Sequence, residues 1–297
     1  MTTPVLSRYL DPAVLSYVAE QPLHPQGLVI GNLAGAHKSP LSGFAVEFSG
    51  HREYVPGDDP RHIDWRVYFA REKFFLKQYE LETNFVCHLL LDVSASMRYG
   101  DGDEQKLLFA ARALTTLGYS VLRQNDKVSF ATFDSHLHEH VPPSNSMGQI
   151  HRMTRRLDET EPEHRTDAPG AINALAARIQ RREIVVIFSD LLGVDLEQLE
   201  AALQRLRYGR HEVVLFHVLH AHELRFEFEG MVRFLGLESD DRLLTQTEDL
   251  RDAYLKVFQQ FRSQVEEIAH RNTCEYVIAE TRGGLRDLFV DYLHRQR

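Results

Sequence analysis

The chain is poor in the features that mark the commonest function classes. No apolar run reaches the roughly 18 residues of a membrane span, and the first eleven residues lack the apolar core of a secretory signal. The net charge is −9, and no stripe of Lys and Arg with interleaved aromatics occurs, so a nucleic-acid partner is not expected. There are two cysteines in 297 residues, Cys87 and Cys274. Both sit in apolar stretches and read as buried thiols, which suits a reducing cytoplasm. The phosphate-binding pattern G-x-x-x-x-G-K-S/T, the hydrolase elbow G-x-S-x-G and the zinc pattern H-E-x-x-H are all missing. ATP hydrolysis, serine hydrolysis and zinc proteolysis therefore have no visible machinery, and the chain is not expected to be an enzyme. What it does have is a hydrophobic fraction of 43%, enough to bury a real core. Its length suits one large or two small domains.

The most informative stretch is Leu89-Leu90-Leu91-Asp92-Val93-Ser94-Ala95-Ser96-Met97. An apolar run over 84–91 is long enough for a buried parallel strand. It ends in an acid, and in an open α/β sheet ligands bind outside the carboxyl ends of strands. A curled loop after the strand would bring Asp92, Ser94 and Ser96 onto one cation. One carboxylate with two hydroxyls is a hard-oxygen set suited to Mg²⁺ or Mn²⁺. Farther on, Thr166-Asp167 precedes a helical pattern over 168–181, and a second apolar run over 183–189 ends in Asp190.

Asp92, Ser94, Ser96, Thr166 and Asp190, in that order, resemble the metal-ion-dependent adhesion site of von Willebrand factor A-type (vWA) domains. The resemblance runs from about residue 84 to the C-terminus. Taken singly, Ser96 or Thr166 would serve equally well as helix caps; the ordered set of five is what favours a metal site.

From residue 84 on, strand and helix patterns alternate. Helices are predicted over 104–123, with Leu107, Leu108, Ala111, Leu114 and Leu117 on one stripe, and over 146–157, 195–207, 247–271 and 285–295. Strands are predicted over 127–133, 211–219 and 275–279, with 137–141 as a hairpin partner of 127–133 and a small hairpin over 226–235. This alternation implies a doubly wound, mostly parallel α/β sheet of Rossmann-like or vWA-like type. A smaller N-terminal segment, 1–83, is expected to pack on the domain formed by 84–297. In it, Asp11-Pro12 signals a helix start. Strands are expected over 28–30, 45–48 and 74–79, with a loop over 31–43.

Residues 50–65 are dense in special residues. Pro56-Gly57 suits a type II turn, Asp59 can cap a short helix begun by Pro60, and arginines alternate with acids. Arg52, Tyr54, Pro56, Gly57, Asp58, Arg61, Ile63, Asp64 and Trp65 match the pattern R-x-Y-x-P-G-D-x-x-R-x-I-D-W of the DUF58 family, which pairs such a segment with a vWA domain. These residues read as structural: Arg–Asp pairs fix a loop, and a single Trp fills a core.

The resemblance implies a function as well. In vWA domains the hydroxyls contact the ion, the two Asp residues act directly or through water, and a partner protein supplies a Glu or Asp to the open coordination position. DUF58 proteins are commonly associated with MoxR-type AAA+ ATPases. The implied role is a metal-dependent adaptor that works with such an ATPase on a client complex. The alternatives are a metal-dependent hydrolase, disfavoured because Ser94 stands where an aspartyl phosphatase needs a second carboxylate, and a scaffold with a vestigial metal site. His136, His138 and His140 at alternate positions read as one solvated strand face rather than a zinc site. Asp101-Gly102-Asp103-Glu104 reads as a turn, since the twelfth position of a calcium loop would be Arg112. His211, His217, His220 and His222 cluster near one strand without an assigned chemistry.

Overall fold

The computed structural model describes residues 5–19, 34–38, 47–55, 58, 61, 63–71, 73–80, 82–83, 85–138, 140–180, 182–239 and 241–295. The chain forms two compact units, one of residues 1–26 with 86–297 and one of residues 27–85.

The larger unit begins with two short helices, α1 (Val5–Tyr9) and α2 (Pro12–Ala19). The Asp11 side chain accepts from Ala13 N–H at 2.8 Å, so the Asp-Pro start signal acts as a cap. The expected grouping of these helices with the rest of 1–83 is corrected by their contacts: Tyr9 donates to Asp158 at 2.8 Å, and Arg112 donates to the Arg8 carbonyl at 2.7 Å. Such long-range packing has no local sequence signal.

The smaller unit holds β1 (Ala34–Lys38), β2 (Glu47–Glu53), α3 (Trp65–Arg71), β3 (Phe75–Glu80) and β4 (Glu82–Thr83). Two antiparallel pairs form, β1 with β4 and β2 with β3. The loop expected over 31–43 thus contains a strand. The expected strand at 28–30, the Pro56-Gly57 turn and the Asp59-Pro60 helix start lie outside the described residues.

The rest of the larger unit alternates as the sequence predicts: β5 (Val86–Asp92), α4 (Lys106–Arg123), β6 (Lys127–Phe133), β7 (Val141–Ser144), α5 (Gly148–Asp158), α6 (Ala168–Ala176), β8 (Ile184–Ser189), α7 (Leu196–Tyr208), β9 (Glu212–Leu219), α8 (Ala221–Arg225), β10 (Met231–Leu235), β11 (Arg242–Gln246), α9 (Thr247–Arg271), β12 (Cys274–Glu280) and α10 (Gly284–Arg295). One six-stranded sheet runs β12-β9-β8-β5-β6-β7. Every neighbouring pair is parallel except β6–β7.

Both faces of the sheet are covered, which is why its strands read as continuous apolar runs rather than alternating ones. Leu90, Val185, Ile187, Val213, Leu215 and Tyr276 face a cluster built with α6, α7 and α9. The alternate residues face α4 and α10: the Phe188 and Phe216 rings stack at 4.4 Å, and Tyr292 of α10 meets Phe216 edge-on at 5.2 Å. At Gly118 of α4 an added Cβ would meet Leu89 Cδ1 at 3.1 Å and Met153 Cε at 3.2 Å, so a glycine there allows the close approach of helix and strand. Cys87 and Cys274 are both free and buried.

Several boundaries differ from the sequence reading, and the helix predicted over 168–181 ends at Ala176. Residues 102–104 form a 3-10 turn and the long helix starts at Lys106. The return strand after β6 is β7, beyond an isolated Phe133–Leu137 bridge. The hairpin predicted over 226–235 pairs β10 with β11 instead, because Phe226 takes a left-handed backbone (φ 50°) that ends α8. At the sheet edge, β7 carries Pro142 and Pro143.

Phe188 is fully buried. Phe188→Ala is expected to lower unfolding stability by about 3–5 kcal/mol, read from the urea midpoint of the intact chain.

Candidate functional site

The chain leaves β5 towards β6 on one side and returns to β8 on the other. The carboxyl end of β5 is therefore the point where strand order reverses, the usual place for a binding crevice in such sheets. Asp92 closes β5 there and Asp190 follows β8, with 0% and 3% of their surfaces exposed. The intervening loop curls into a 3-10 turn, Ala95–Arg98, and brings the Ser94 and Ser96 hydroxyls to 3.1 Å of each other.

Asp92 is held by dipoles. One oxygen accepts the Ser94 N–H at 2.9 Å; the other accepts the Thr166 hydroxyl at 2.8 Å and the Ser189 hydroxyl at 2.6 Å. Thr166 is placed by the next residue: Asp167 caps α6 by accepting from Gly170 N–H at 2.9 Å. Burial, and then the charge of Asp190, push the Asp92 carboxyl up to about 7.

Asp190 is held by a charge. Lys106, 1% exposed, donates to Asp190 at 2.6 Å and to Glu223 at 2.8 Å. Burial alone would raise the Asp190 pKa, but the ammonium and its hydrogen bond outweigh burial and hold it below the usual carboxylate range. The two carboxylates likewise outweigh burial at Lys106 and hold the ammonium charged. The other Asp190 oxygen accepts Leu192 N–H at 3.1 Å. Below it, His217 contacts the Asp190 carbonyl at 3.0 Å and the Tyr276 hydroxyl at 2.6 Å. Burial pushes the His217 imidazole down to about 4.

The structure thus gathers Asp92, Ser94, Ser96, Thr166 and Asp190 at one crevice, with Asp190 oriented mainly towards Lys106. Sequence reasoning missed Ser189, Lys106, Glu223 and Glu238. Ser189 stands beside Asp190 in the same strand-end pattern and was within reach. Glu238, in the loop between β10 and β11, places its carboxyl against the hydroxyl and N–H of Ser96, and burial raises its pKa, with the Asp190 charge adding to the effect. Its Oε1 is buried with no hydrogen-bond partner among the described residues. The donor set is all oxygen and hard, and it suits Mg²⁺ or Mn²⁺. Asp190 and Glu238 both lie against Ser96; Lys106 is taken by Asp190 and Glu223, Arg165 lies beside Glu238, and a dication there would answer the orphaned oxygen. The residues fit such an ion.

The histidine triplet is arranged differently from the expected strand face. Asp134, His136 and His138 bring one ligand atom each within 4.8 Å of one another, while His140 lies 6.5 Å from the His88 ring. In the smaller unit, Arg52 donates to Asp58 at 2.9 Å and Val55 N–H donates to the same carboxylate. Asp64 is buried, contacts His51 at 2.9 Å and accepts Arg66 N–H at 3.0 Å. These hydrogen bonds tie Asp58 and Asp64 to their neighbours in the motif. Trp65 does not fill a core: it is 53% exposed, edge-on to Tyr68 and Phe74. Pro56 and Gly57 lie outside the described residues. Tyr54 is edge-on to Phe74, and Arg61 is exposed.

Removing one partner of a buried charge cluster leaves the others uncompensated, so Lys106→Met is expected to lose about 3–5 kcal/mol of stability by urea unfolding. His217 is neutral when folded and takes a proton when unfolded below its ordinary pKa of 6.5. Its stabilisation is complete above about pH 6.5 and lost as pH falls towards 4, by roughly 2 kcal/mol at pH 5. Wild type should therefore lose more stability than His217→Gln between pH 7 and pH 5.

Among curated proteins, uncharacterized proteins of Mycobacterium tuberculosis (Rv1480) and Mycobacterium bovis (Mb1516) are each 26% identical over 235 residues, covering 77% of this chain and 72% of theirs. Among solved structures, an aerotolerance-related membrane protein from Bacteroides fragilis has a TM-score of 0.48 at 18% identity, covering 71% of this chain and 100% of that one. BatB, a conserved hypothetical protein of Bacteroides thetaiotaomicron, has a TM-score of 0.45 at 14% identity with the same coverage. The model of the DUF58 family, described as a protein of unknown function, matches residues 50–264, and on that match the chain belongs to the DUF58 family.

Proposed function

We propose that the larger unit is a metal-dependent protein-interaction module of vWA type, acting as an adaptor rather than an enzyme. The observation that carries this reading is the convergence of three separate segments on one carboxylate: Asp92 and its Ser94 N–H, the Thr166 hydroxyl and the Ser189 hydroxyl. Asp92, Ser94, Ser96 and Thr166 would hold Mg²⁺ or Mn²⁺, with Asp190 acting from behind through its charge. The ion would supply an electrophilic contact for a Glu or Asp of a partner protein.

A surface beside the site supports the reading. The outward face of the β10–β11 hairpin exposes Met231 (64%), Leu235 (55%) and Leu244 (64%), paired across the strands with Gln246, Arg242 and Arg233, a mixed apolar and basic face of the sort that protein contacts use. The chain has no phosphate-binding loop of its own, so a MoxR-type AAA+ ATPase remains the proposed source of energy for work on a client. A cytoplasmic location is proposed from the two buried free thiols. No helix among the described residues is long and apolar enough to cross a membrane.

Calorimetric titration of Mn²⁺ into wild type should show one site per chain, lost in Asp92→Ala. At a free concentration near 100 times Kd the ion should add roughly 2.7 kcal/mol of stability to wild type and nothing to the variant. No binding to either protein would leave the site as a scaffold.

A further inference from the structure

The hairpin between β9 and α9 does more than present an exposed face. Its loop folds back over the crevice and is tied there by its backbone, since Arg165 Nε donates to the Glu238 carbonyl at 2.9 Å. Arg165 is the neighbour of Thr166, so the bond links the hairpin loop to one of the segments that converge on Asp92. The loop is also braced within itself. Gly236 N–H donates to the Asp241 carbonyl at 2.8 Å, and the Ser239 hydroxyl donates to the Asp241 carboxylate at 2.6 Å. Beneath the hairpin, Phe234 and Leu243 close over an apolar cavity of about 290 Å³ together with Tyr99, Phe226 and Tyr254. These contacts give Glu238 a defined position.

That position is an odd one for an acid. The Glu238 carboxyl is half-buried against Ser96, between the charge of Asp190 and the guanidinium of Arg165, while the buried ammonium of Lys106 is committed to Asp190 and Glu223. Its Oε1 is buried and has no hydrogen-bond partner among the described residues. A buried carboxylate oxygen without a donor is costly. It becomes favourable beside a hard cation, for which an anionic oxygen is a preferred ligand. Asp92, Ser94, Ser96 and Thr166 supply the remaining oxygens from the other side.

We propose that Glu238 is an internal ligand of this metal site. The chain's own hairpin offers the carboxylate that the adaptor reading assigns to a partner, and a partner's acid must displace it to bind. This inference rests on that reading, and it adds a self-ligated state. Displacing Glu238 would free the hairpin loop from Ser96, so metal exchange and movement of that loop are linked.

The test uses Mn²⁺ as probe on the full chain, with two readouts: calorimetric affinity, and water-proton relaxivity, which counts the waters on the bound ion. Glu238→Ala is expected to weaken Mn²⁺ roughly tenfold or more, as loss of a charged oxygen ligand does at hard-cation sites, and to raise the relaxivity by the equivalent of one further water. Glu238→Gln, which keeps the shape of the loop, should show the same loss of affinity and covers the case in which the alanine variant folds poorly. Unchanged or tighter binding with no added water in both variants, while Asp92→Ala still abolishes binding, would overturn the internal ligand and leave the metal reading standing. Absence of Mn²⁺ binding in wild type and both variants would overturn the two together.

Discussion

A carboxylate with no exposed surface at the end of a central strand is the constraint around which this crevice is built. Taking such a group out of water is expensive, and the fold buries a second, Asp190, just after the adjacent strand. It treats them differently. Asp190 has a counter-ion, the Lys106 ammonium, which enters from the first turn of α4 and is shared with Glu223. Asp92 has hydrogen-bond donors alone, from Ser94, Thr166 and Ser189. The counter-ion holds one acid below the usual carboxylate range, while burial pushes the other above it. A site with one committed and one uncommitted carboxylate can accept a cation without rearranging its own ion pairs.

This arrangement explains why several distant segments must arrive together. Ser94 comes from the turn after β5, Thr166 from the loop before α6, and Ser189 from β8. Each is placed by ordinary local devices: a 3-10 turn, an Asp cap at Asp167, and the parallel register that sets Leu91 beside Phe188. The reversal of strand order at β5 opens the space they fill.

Much of this was legible in the sequence. Apolar runs ending in an acid located β5 and β8, because strands covered on both faces leave no polar residues until they reach the loop. The Asp-Pro signal found α2, and a helical stripe found α4. Lys106 was invisible because a lysine at a helix start reads as solvated, and its burial is decided by Asp190 and Glu223, 84 and 117 positions away. Glu238 sits in a loop with no periodicity, and its meaning depends on where the hairpin folds. Trp65 was misread because scarcity suggests a core residue, whereas its ring is half exposed among Tyr68 and Phe74. The three histidines were read as a strand, but the chain bends after β6, and Asp134 joins two of them instead.

The edge strand β7 has a consequence of its own. Its Val-Pro-Pro-Ser sequence removes two successive amide donors from that margin of the sheet. Another chain cannot lengthen the sheet there by backbone pairing, the indiscriminate mode of association that open edges invite. Growth of an assembly in that direction is closed, and recognition is left to side-chain chemistry, where a single residue can decide which molecule is accepted and which is refused.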